Sequence, residues 1–426
     1  MVRPDRIRLA FGSPRIRLAF GSLRIRLAFG SPLRSERLTS QLGLWLGVAF
    51  GICFGTGVLS HLIQHPSGWF WWPSRPVWLY RVTQGLHVGT GLATVPLLGA
   101  KLWSVYPRLL TWPPVRSVLH ALERGSVAVL VGSALFQLVT GVLNVARWYP
   151  PMGFFFTTAH YWTAWLAIGA LLFHIAVQLP AIRRGLPAIR RGPASRSPAE
   201  PAGETEPAGE TEPARETEPA GAAGSAGLSR RGLLTAVAAS AGVVTVATVG
   251  QTVAPLGRVS VLAPRQPDLG PQRLPVNTSA RAAQVSKLAV DPGYRLRLTG
   301  PAGTRLLSRP ELEAMPQYTA SLPITCVEGW SADAVWTGVP VADLLALVGV
   351  PGGDAQVLVE SLQRDSRYAA SVLAPPHARD RLTLLALRLN GEPLTLDHGY
   401  PARLIAPNRP GVLQTKWVAA LTVVPR

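Results

Sequence analysis

Long apolar runs constrain the fold of this sequence more than any other feature. Four segments of about 20 residues carry almost no charge, and a helix that rises 1.5 Å per residue crosses about 30 Å of hydrocarbon in that length. They lie at residues 42–62, 77–98, 127–145 and 161–179. We therefore predict four transmembrane helices, with a lipid bilayer as partner.

Composition and charge agree with a membrane protein. The 426 residues have a mean hydropathy of +0.22, and only 15% of them are charged. A net charge of +19 is also typical of nucleic-acid-binding proteins. Here, however, the basic residues lie in an N-terminal arm and beside the apolar runs, without a basic recognition helix. We predict no nucleic-acid partner.

The loop charges predict how the helices are oriented. Basic residues concentrate in the second connection and after the fourth run, at Lys101, Arg108, Arg116, Arg124, Arg183, Arg184, Arg190 and Arg191. The first and third connections have Arg75 and Arg147, together with many aromatic residues that favour the membrane interface. Because basic loops remain in the cytoplasm, we predict a cytoplasmic N-terminus and a multi-pass protein of the cell membrane.

Two segments of low complexity flank this domain, which we place at residues 38–180. Residues 1–37 form a basic arm with three copies of a nine-residue unit, RIRLAFGSP, RIRLAFGSL and RIRLAFGSP, too short to build a repeat fold. Residues 181–228 contain near-copies of EPAGET and almost no large apolar side chains. Such a composition cannot bury a core, which predicts a disordered cytoplasmic linker.

Residues 229–255 begin with Ser-Arg-Arg-Gly-Leu-Leu and continue as an uncharged run of small and β-branched residues. This layout is typical of a twin-arginine export signal, although the usual Phe is replaced by Leu. Two arginines before a fifth transmembrane helix would satisfy the positive-inside rule equally well. Either interpretation places residues 256–426 outside the cytoplasm.

Residues 256–426 are polar and long enough for one domain. Short β-branched or alternating runs bounded by Gly, Pro, Asn and Asp predict strands at residues 294–298, 356–360, 368–372, 403–406 and 417–424. Short helices are expected at 309–314 and 341–347, each with Pro near its start. The predicted fold class is a multidomain membrane protein, in which an all-α transmembrane bundle precedes an α+β, mostly β domain.

The chemistry of this domain centres on one cysteine. Cys326 lies in LPITCVEGW, at the end of a strand-like run, whereas the only other cysteine, Cys53, lies inside the first apolar run. Taken alone, such a thiol is either a small buried hydrophobe or a reactive thiolate. No CxxC, HExxH or Gly-rich phosphate loop is present to suggest zinc, haem c or a nucleotide.

Further motifs follow in the order NGEPL at 390–394, HGYPAR at 398–403 and QTKW at 414–417. Together with CVEGW they resemble the sulfite oxidase family, in particular its bacterial branch of periplasmic molybdenum methionine-sulfoxide reductases, across most of residues 265–426. The resemblance implies a molybdenum–molybdopterin cofactor with Cys326 as the metal ligand. A Pro-Gly-x-x-Gly turn of the family is replaced by Pro-Asn-Arg-Pro-Gly at 407–411, so that Arg409 is a further candidate for the substrate pocket.

The resemblance also implies the residues that hold the cofactor. Arg403, the second candidate catalytic residue beside Cys326, and His398 would hold the pterin and its phosphate. Ser361 and Asn277 would contact the pterin, and the phosphate end would be lined by Gln414, Thr415 and Lys416. Arg and Lys suit a phosphate, and a thiolate is a soft ligand for a redox metal. Taken singly, His398 and Arg403 could instead be a turn histidine and a surface ion-pair residue.

Histidines in the apolar runs suggest a second redox centre. Ionisable groups at membrane depth are costly and usually functional. His87 and His174 lie within the second and fourth runs, and His61 and His160 lie at outer helix ends. The arrangement resembles membrane cytochromes b, with one haem b between His87 and His174 and a second between His61 and His160. The alternative is a haem-free anchor with polar packing histidines.

Two functional classes follow. In the first, the chain is an oxidoreductase that converts a small oxyanion or sulfoxide outside the cytoplasm and exchanges electrons with the quinone pool or another carrier. In the second, it is a binding or sensing module that has kept the cofactor fold but lost turnover. The joint presence of Cys326, Arg403 and Lys416 favours the enzyme.

Overall fold

The computed structural model describes residues 33–66, 69–109, 115–185, 229–266 and 268–424. The repeats of the basic arm and the linker from residue 186 onwards lie outside the described residues, so the predictions for them stay predictions. The fourth helix continues through residues 181–185, so the predicted linker begins later than the sequence indicates.

Five described helices are long and apolar enough to cross a membrane, in agreement with the four predicted spans and the candidate fifth. Serine side chains cap the first, third and fifth helices, and each accepts a hydrogen bond from a backbone N–H of the first turn. The cap of the fifth helix is Ser229, so the Arg230-Arg231 pair lies in its first turn. The helices are α1 (Glu36–Gln64), α2 (Leu79–Leu109), α3 (Val118–Val145), α4 (Phe156–Gly185) and α5 (Arg230–Val249).

Helix α2 lies between α1 and α5 and packs closely against both. A Cβ atom added at Gly89 would lie 3.1 Å from a methyl carbon of Thr245 on α5. The Thr245 hydroxyl donates a hydrogen bond of 3.2 Å to the Gly89 carbonyl. Small residues that let two backbones approach are typical of helix contacts in membranes. The segment from residue 230 is therefore packed into the helical bundle as its fifth member.

The C-terminal domain is built on two sheets. One has the strand order β2-β1-β10-β5-β6, and the other has the order β3-β4-β7-β8 with β9 beside β7. The strands are β1 (Arg295–Gly300), β2 (Gly303–Ser308), β3 (Tyr318–Thr325), β4 (Ser331–Pro340), β5 (Gln356–Ser361), β6 (Ala370–Leu373), β7 (Leu384–Leu389), β8 (Glu392–Pro393), β9 (Arg403–Ile405) and β10 (Val418–Val424). Short helices follow as α6 (Ser286–Ala289), α7 (Arg309–Ala314), α8 (Val341–Ala346) and α9 (Pro375–Ala378).

The main core of this domain draws buried side chains from both sheets, such as Leu296 and Leu298 of β1 and Leu385 and Leu387 of β7. Alternating burial in β1 marks a strand with one covered face, whereas β7 is buried along most of its length. The five predicted strands and two predicted helices are confirmed, with bounds shifted by one or two residues.

Asn408 joins the domain to the helical bundle. Its side-chain carbonyl accepts a hydrogen bond of 2.6 Å from the Tyr80 backbone N–H, and its amide donates one of 2.7 Å to the Pro73 carbonyl. The Trp72 indole N–H donates to the Asn408 carbonyl at 2.9 Å. Asn408 lies in the turn that departs from the family pattern, so this departure has a structural role in the contact between the two halves.

Two salt bridges lie beside this contact. Arg75 pairs with Asp380 at 3.0 Å, and Arg81 pairs with Asp333 at 2.9 Å. The domain therefore packs at the start of α2, which is the end of the bundle that the loop charges predict to face outwards. The arginine of the first predicted outer loop is used in this contact.

We expect Asn408→Gly to loosen the domain from the bundle. Asn408 has a φ of 53°, which glycine adopts without strain, so the substitution removes the two side-chain hydrogen bonds alone. A buried donor or acceptor left without a partner costs about 1–3 kcal/mol. Hydrogen–deuterium exchange should therefore become faster in residues 69–82.

The matched control is Asn390→Gly, because Asn390 has a φ of 50° and its side chain bonds within the C-terminal domain. Exchange in residues 69–82 should be unchanged in this control. Equal exchange in wild type and Asn408→Gly would show that Asn408 does not hold the two halves together.

Candidate functional site

Cys326 begins a tight turn between β3 and β4. Its backbone N–H donates to the Trp330 carbonyl at 2.9 Å, and the Gly329 N–H donates to the Cys326 carbonyl at 3.1 Å. Gly329 has a φ of +94°, a conformation that glycine adopts readily. The CVEGW motif is therefore the sequence of one loop that fixes the position of the thiol.

The thiol is buried, with 3% of the residue exposed. Burial raises the pKa of Cys326 to about 12, and the nearby Glu328 carboxylate acts in the same direction. Glu328 itself accepts a hydrogen bond of 2.9 Å from the Trp330 indole and lies 3.4 Å from the Arg265 guanidinium. A bound metal cation would favour the thiolate here, because its positive charge would replace the stabilisation by water that burial removes.

A basic cluster of His398, Arg403 and Lys416 forms a second part of the site. The Arg403 guanidinium donates to the His398 carbonyl at 3.3 Å. A Cβ atom added at Gly399 would lie 3.2 Å from the Cβ atoms of both Arg403 and Lys416. The glycine of HGYPAR therefore lets these two chain segments approach each other.

The two cations of this cluster lack anionic partners. Among the described residues, neither Arg403 nor Lys416 forms a salt bridge, and Lys416 donates to the carbonyls of Thr278 and Asp397 at 2.8 Å each. Burial lowers the pKa of Arg403 to about 9 and that of Lys416 well below its ordinary value. A buried and a half-buried cation that form no salt bridge among the described residues indicate a site for an anion such as a phosphate.

Two unpartnered polar atoms of the cluster fit a pterin. Nε2 of His398 lies 2.8 Å from the Pro271 carbonyl and acts as the donor, and burial together with Arg403 lowers the pKa of the imidazole to about 4. Nδ1 of this neutral ring is then an acceptor, and it is buried without a hydrogen-bond partner among the described residues, as is Nε of Arg403. The ring and amino N–H groups of a pterin can donate to the first of these atoms. The residues present therefore fit the molybdopterin group.

The other residues assigned by resemblance have partners within the fold. The Gln414 amide donates to the Ala406 carbonyl and accepts from the Ala406 N–H, both at 2.8 Å. The Thr415 hydroxyl is 2.8 Å from that of Ser371. Gln414 therefore fixes the backbone just after β9 and Thr415 contacts β6, and neither contact tests their assignment to the phosphate end. Of the QTKW motif, the Lys416 side chain reaches the basic cluster.

Ser361 and Asn277 lie at the border of the cluster. The Ser361 hydroxyl donates to the Lys416 carbonyl at 2.8 Å and accepts from the Gln363 N–H, so it positions the segment before β10 that bears Lys416. Asn277 is exposed, and its side chain accepts from the Thr278 N–H at 2.9 Å. Neither of these contacts tests a role in pterin binding.

Arg409 is bonded within the fold. Its guanidinium is buried and donates to the carbonyls of Leu413 and Val372 at 2.6 Å each. It also lines a small cavity with Trp72 and His377, and none of these contacts tests whether it faces a substrate. Sequence reasoning also missed Arg265 and Tyr149. Each interacts electrostatically with Glu328 or Cys326, but neither belongs to a motif, and their positions depend on tertiary packing.

The helical bundle contains a cleft whose empty volume, its open mouth included, is about 1370 Å³. It is lined mostly by apolar side chains of α1, α2, α3 and α4, and also by Val327 of the cysteine loop. His87 and His160 face each other in this cleft, with ring centroids 6.3 Å apart. Within the described residues, no group of three or more His, Cys, Asp or Glu could hold a metal ion, so any metal here needs other ligands as well.

The histidine pairs differ from those expected from the sequence. His61 stacks on Tyr161 at 3.6 Å and on His65 at 4.2 Å, and His174 lies near Lys101 and Glu123. The pairs differ because α2 and α4 begin at other residues than the apolar runs predict. Counted from the observed start of its helix, His87 is about 12 Å deep, His160 about 6 Å and His174 about 27 Å. His160 is therefore closer in depth to His87 than His174 is.

Both facing histidines have one ring nitrogen already bonded. Nδ1 of His87 is 2.9 Å from the Cys53 carbonyl, and Nδ1 of His160 is 3.2 Å from the Thr140 hydroxyl. This leaves Nε2 of each ring for a ligand, and hydrogen bonds of this kind orient the metal-binding histidines of other proteins. Two bonds of about 2 Å from imidazoles to one metal ion would place the ring centroids about 6 Å apart, so the observed separation fits axial ligands.

Comparison with known proteins identifies the C-terminal domain. Residues 282–426 match a family described as "Oxidoreductase molybdopterin binding domain". Human mitochondrial sulfite oxidase is 32% identical over 164 residues, and the match covers 32% of this chain and 30% of the human protein. The chain thus spans about a third of the length of that relative.

Two bacterial proteins are similar as well. An uncharacterised oxidoreductase of Bacillus subtilis, YuiH, is 32% identical over 117 residues, which are 27% of this chain and 57% of YuiH. A protein of Azospira oryzae with the provisional name protein-methionine-sulfoxide reductase subunit YedZ1 is 34% identical over 113 residues, which are 26% of this chain and 42% of that protein.

We expect Arg403→Met to separate cofactor binding from folding. Without the cofactor, the substitution removes a buried cation that forms no salt bridge among the described residues, and the burial of such a charge is costly. The melting temperature of the cofactor-free chain in detergent should therefore be equal or higher. In a cofactor-competent host, the pterin content should fall, because a cation facing the phosphate is lost.

Arg305→Met is the matched control, since Arg305 is exposed on β2, and neither quantity should change in this variant. A strongly lowered melting temperature in cofactor-free Arg403→Met would instead assign Arg403 a structural role.

Proposed function

Because the C-terminal domain of this chain belongs to the sulfite oxidase-type family of molybdopterin oxidoreductases, we propose that the chain is a membrane-anchored enzyme with a molybdenum cofactor. It converts a small oxyanion or sulfoxide and exchanges electrons with a membrane carrier of the quinone class. The observation that carries this proposal is the buried thiol of Cys326 in the same domain as a buried Arg403 and a half-buried Lys416, neither of which forms a salt bridge among the described residues.

Each part of the site has a role that follows from its chemistry. Cys326 supplies a soft thiolate ligand to molybdenum, and the loop of residues 326–330 fixes its position. Arg403 and Lys416 neutralise the phosphate, and Nδ1 of His398 accepts a hydrogen bond from the pterin. The bound cofactor supplies the two-electron chemistry, and the protein supplies binding, orientation and exclusion of water.

The same features favour an enzyme over a module without turnover. A protein that had kept only the fold would have no need for a buried thiol or for buried cations, which are costly without an anion. Both are present, and Gly399 allows the close approach of Arg403 and Lys416. The cluster is therefore best explained by retention of the cofactor.

Electron exchange with the membrane is supported by the helical bundle. The ring centroids of His87 and His160 lie 6.3 Å apart in a cleft that reaches the cysteine loop, which supports their assignment as the two residues that would hold one haem b. The second haem expected from the sequence would need His61, which is stacked between two rings. We therefore propose one haem b. The C-terminal domain packs at the end of the bundle that the loop charges predict to be outside, which supports an extracytoplasmic site.

We expect Cys326→Ser to abolish turnover with a viologen dye as electron donor or acceptor. The hydroxyl is a poor substitute for a soft thiolate, whereas the pterin contacts of Arg403, His398 and Lys416 are unaffected. Pterin content should therefore be retained.

Cys53→Ser, which alters the cysteine of α1, is the control and should keep the molybdenum content of wild type. Turnover of Cys326→Ser at the wild-type rate, or a wild-type chain without molybdenum from a cofactor-competent host, would refute the proposed enzyme.

We expect a low-spin b-type spectrum in the purified, dithionite-reduced protein. His87→Ala and His160→Ala should each remove this signal, because each deletes one axial ligand. His174→Ala is the control and should leave the spectrum unchanged. A signal that depends on His174 and not on His160 would restore the pairing expected from the sequence, and a colourless wild-type protein would leave the bundle as an anchor.

A further inference from the structure

The carbonyl of Val327, the residue that follows the candidate metal ligand, is held by two helices of the bundle. The Gln84 amide of α2 donates to it at 3.1 Å, and the Asn144 amide of α3 donates at 3.4 Å. A carbonyl oxygen has two lone pairs, so both can be used at once. Val327 also lines the cleft of His87 and His160.

Both amides are oriented by hydroxyl groups. The carbonyl oxygen of Gln84 accepts hydrogen bonds from Ser60 at 3.4 Å and from Tyr80 at 3.3 Å. That of Asn144 accepts from Tyr149 at 3.2 Å. A hydroxyl that donates to the amide oxygen fixes the orientation of the amide, so that the NH₂ group points away from the hydroxyl. In both residues the NH₂ group therefore points to Val327.

The donor Gln84 is close in sequence to His87, and the donor Asn144 is close to Thr140. Gln84 precedes His87 by three residues, and Asn144 follows Thr140 by four, and both spacings place residues on one face of a helix. Thr140 is the residue whose hydroxyl contacts Nδ1 of His160. One helical turn of α2 thus connects His87 to Gln84, and one turn of α3 connects Thr140, the partner of His160, to Asn144. Both amides donate to the Val327 carbonyl.

The cysteine loop also packs directly on α2. A Cβ atom added at Gly329 would lie 3.1 Å and 3.2 Å from the two methyl carbons of Val88. Val88 is the neighbour of His87 in the chain. The backbone of the loop thus approaches the helix at the level of the histidine, and the two amides fix its orientation there.

We propose that Gln84 and Asn144 are positioning residues, which hold the Val327 peptide as the bridge for electron transfer between the histidine cleft and Cys326. This inference rests on the proposed function. His87 and His160 would hold the haem and Cys326 would hold molybdenum, and these groups would supply one-electron chemistry on either side of the bridge. Each transfer would oxidise one metal by one electron as it reduces the other, so a two-electron conversion of substrate would use the bridge twice.

The test uses flash photoreduction of the full-length protein with exogenous deazaflavin, which requires no knowledge of the substrate. The flash reduces the haem, and the subsequent relaxation of its absorbance reports transfer to molybdenum. Protein from molybdate-free medium identifies the part of the relaxation that depends on molybdenum. Haem and molybdenum contents are measured for every sample.

The variants are Gln84→Met and Asn144→Leu, singly and together, which keep side-chain size but remove the donors. We expect the molybdenum-dependent rate to fall about tenfold or more in the double variant, since a misplacement of about 1 Å at a reacting centre can have effects of this order. Viologen-driven turnover, haem content and molybdenum content should stay at wild-type levels. Single variants should show smaller losses, and they decide the question if the double variant does not fold.

Gln178→Met is the matched control, because Gln178 lies in α4 and donates to Glu123 at 3.1 Å, away from the cysteine loop. Its transfer rate should equal that of wild type. An unchanged rate in the double variant with both cofactors bound would overturn this inference and leave the proposed function intact. A wild-type protein that lacks haem would overturn this inference and leave the bundle as an anchor, whereas one that lacks molybdenum would overturn the proposed function as well. The metal analysis distinguishes these outcomes before any flash.

Discussion

The burial of Arg403 beside the half-buried Lys416, without a salt bridge to either among the described residues, is the constraint on which the C-terminal domain depends. Removing a cation from water is costly unless an anion or several hydrogen bonds replace the solvent. The fold supplies carbonyl acceptors to Lys416 and one to Arg403, and the carboxylate of Asp397 acts on Lys416 only from beyond salt-bridge distance. An anionic cofactor would complete this arrangement, so the group that performs the chemistry would also stabilise the domain that binds it.

A second constraint is the position of the cysteine loop against the helical bundle. Residues on both sides of Glu328 contact the helices, through the carbonyl of Val327 and the backbone of Gly329. The same loop forms its tight turn only because Gly329 adopts a positive φ. Glycine at this position therefore satisfies two requirements, the turn that presents Cys326 and the close approach to Val88. The thiol and the histidine cleft are placed by one short segment.

Sequence reasoning predicted much of this structure, and its errors have physical causes. The helices and strands were predicted because hydrophobic length and alternation are local properties. Cys326, His398, Arg403 and Lys416 were identified through motifs, and the structure places the last three together. Gln414 and Thr415 belong to the same motif, but which neighbouring side chain faces the cluster depends on the backbone around β9. The facing histidines differ from the expected pairs because the depth of each side chain depends on where α2 and α4 begin. An error of five residues moves a side chain by about 7 Å.

The connection between the helical bundle and the C-terminal domain explains why the two redox sites proposed above suit a single chain. Separate redox proteins often meet through small, weak interfaces, and their electron transfer then depends on concentration and docking. Here α5 packs against α2 and leads directly into the C-terminal domain, and Asn408 and two salt bridges hold that domain at the end of the bundle. Covalent linkage makes the encounter intramolecular, and the hydrogen bonds define its geometry. The polar contacts between the halves therefore need not be strong, because their role is to select one orientation of domains that cannot diffuse apart.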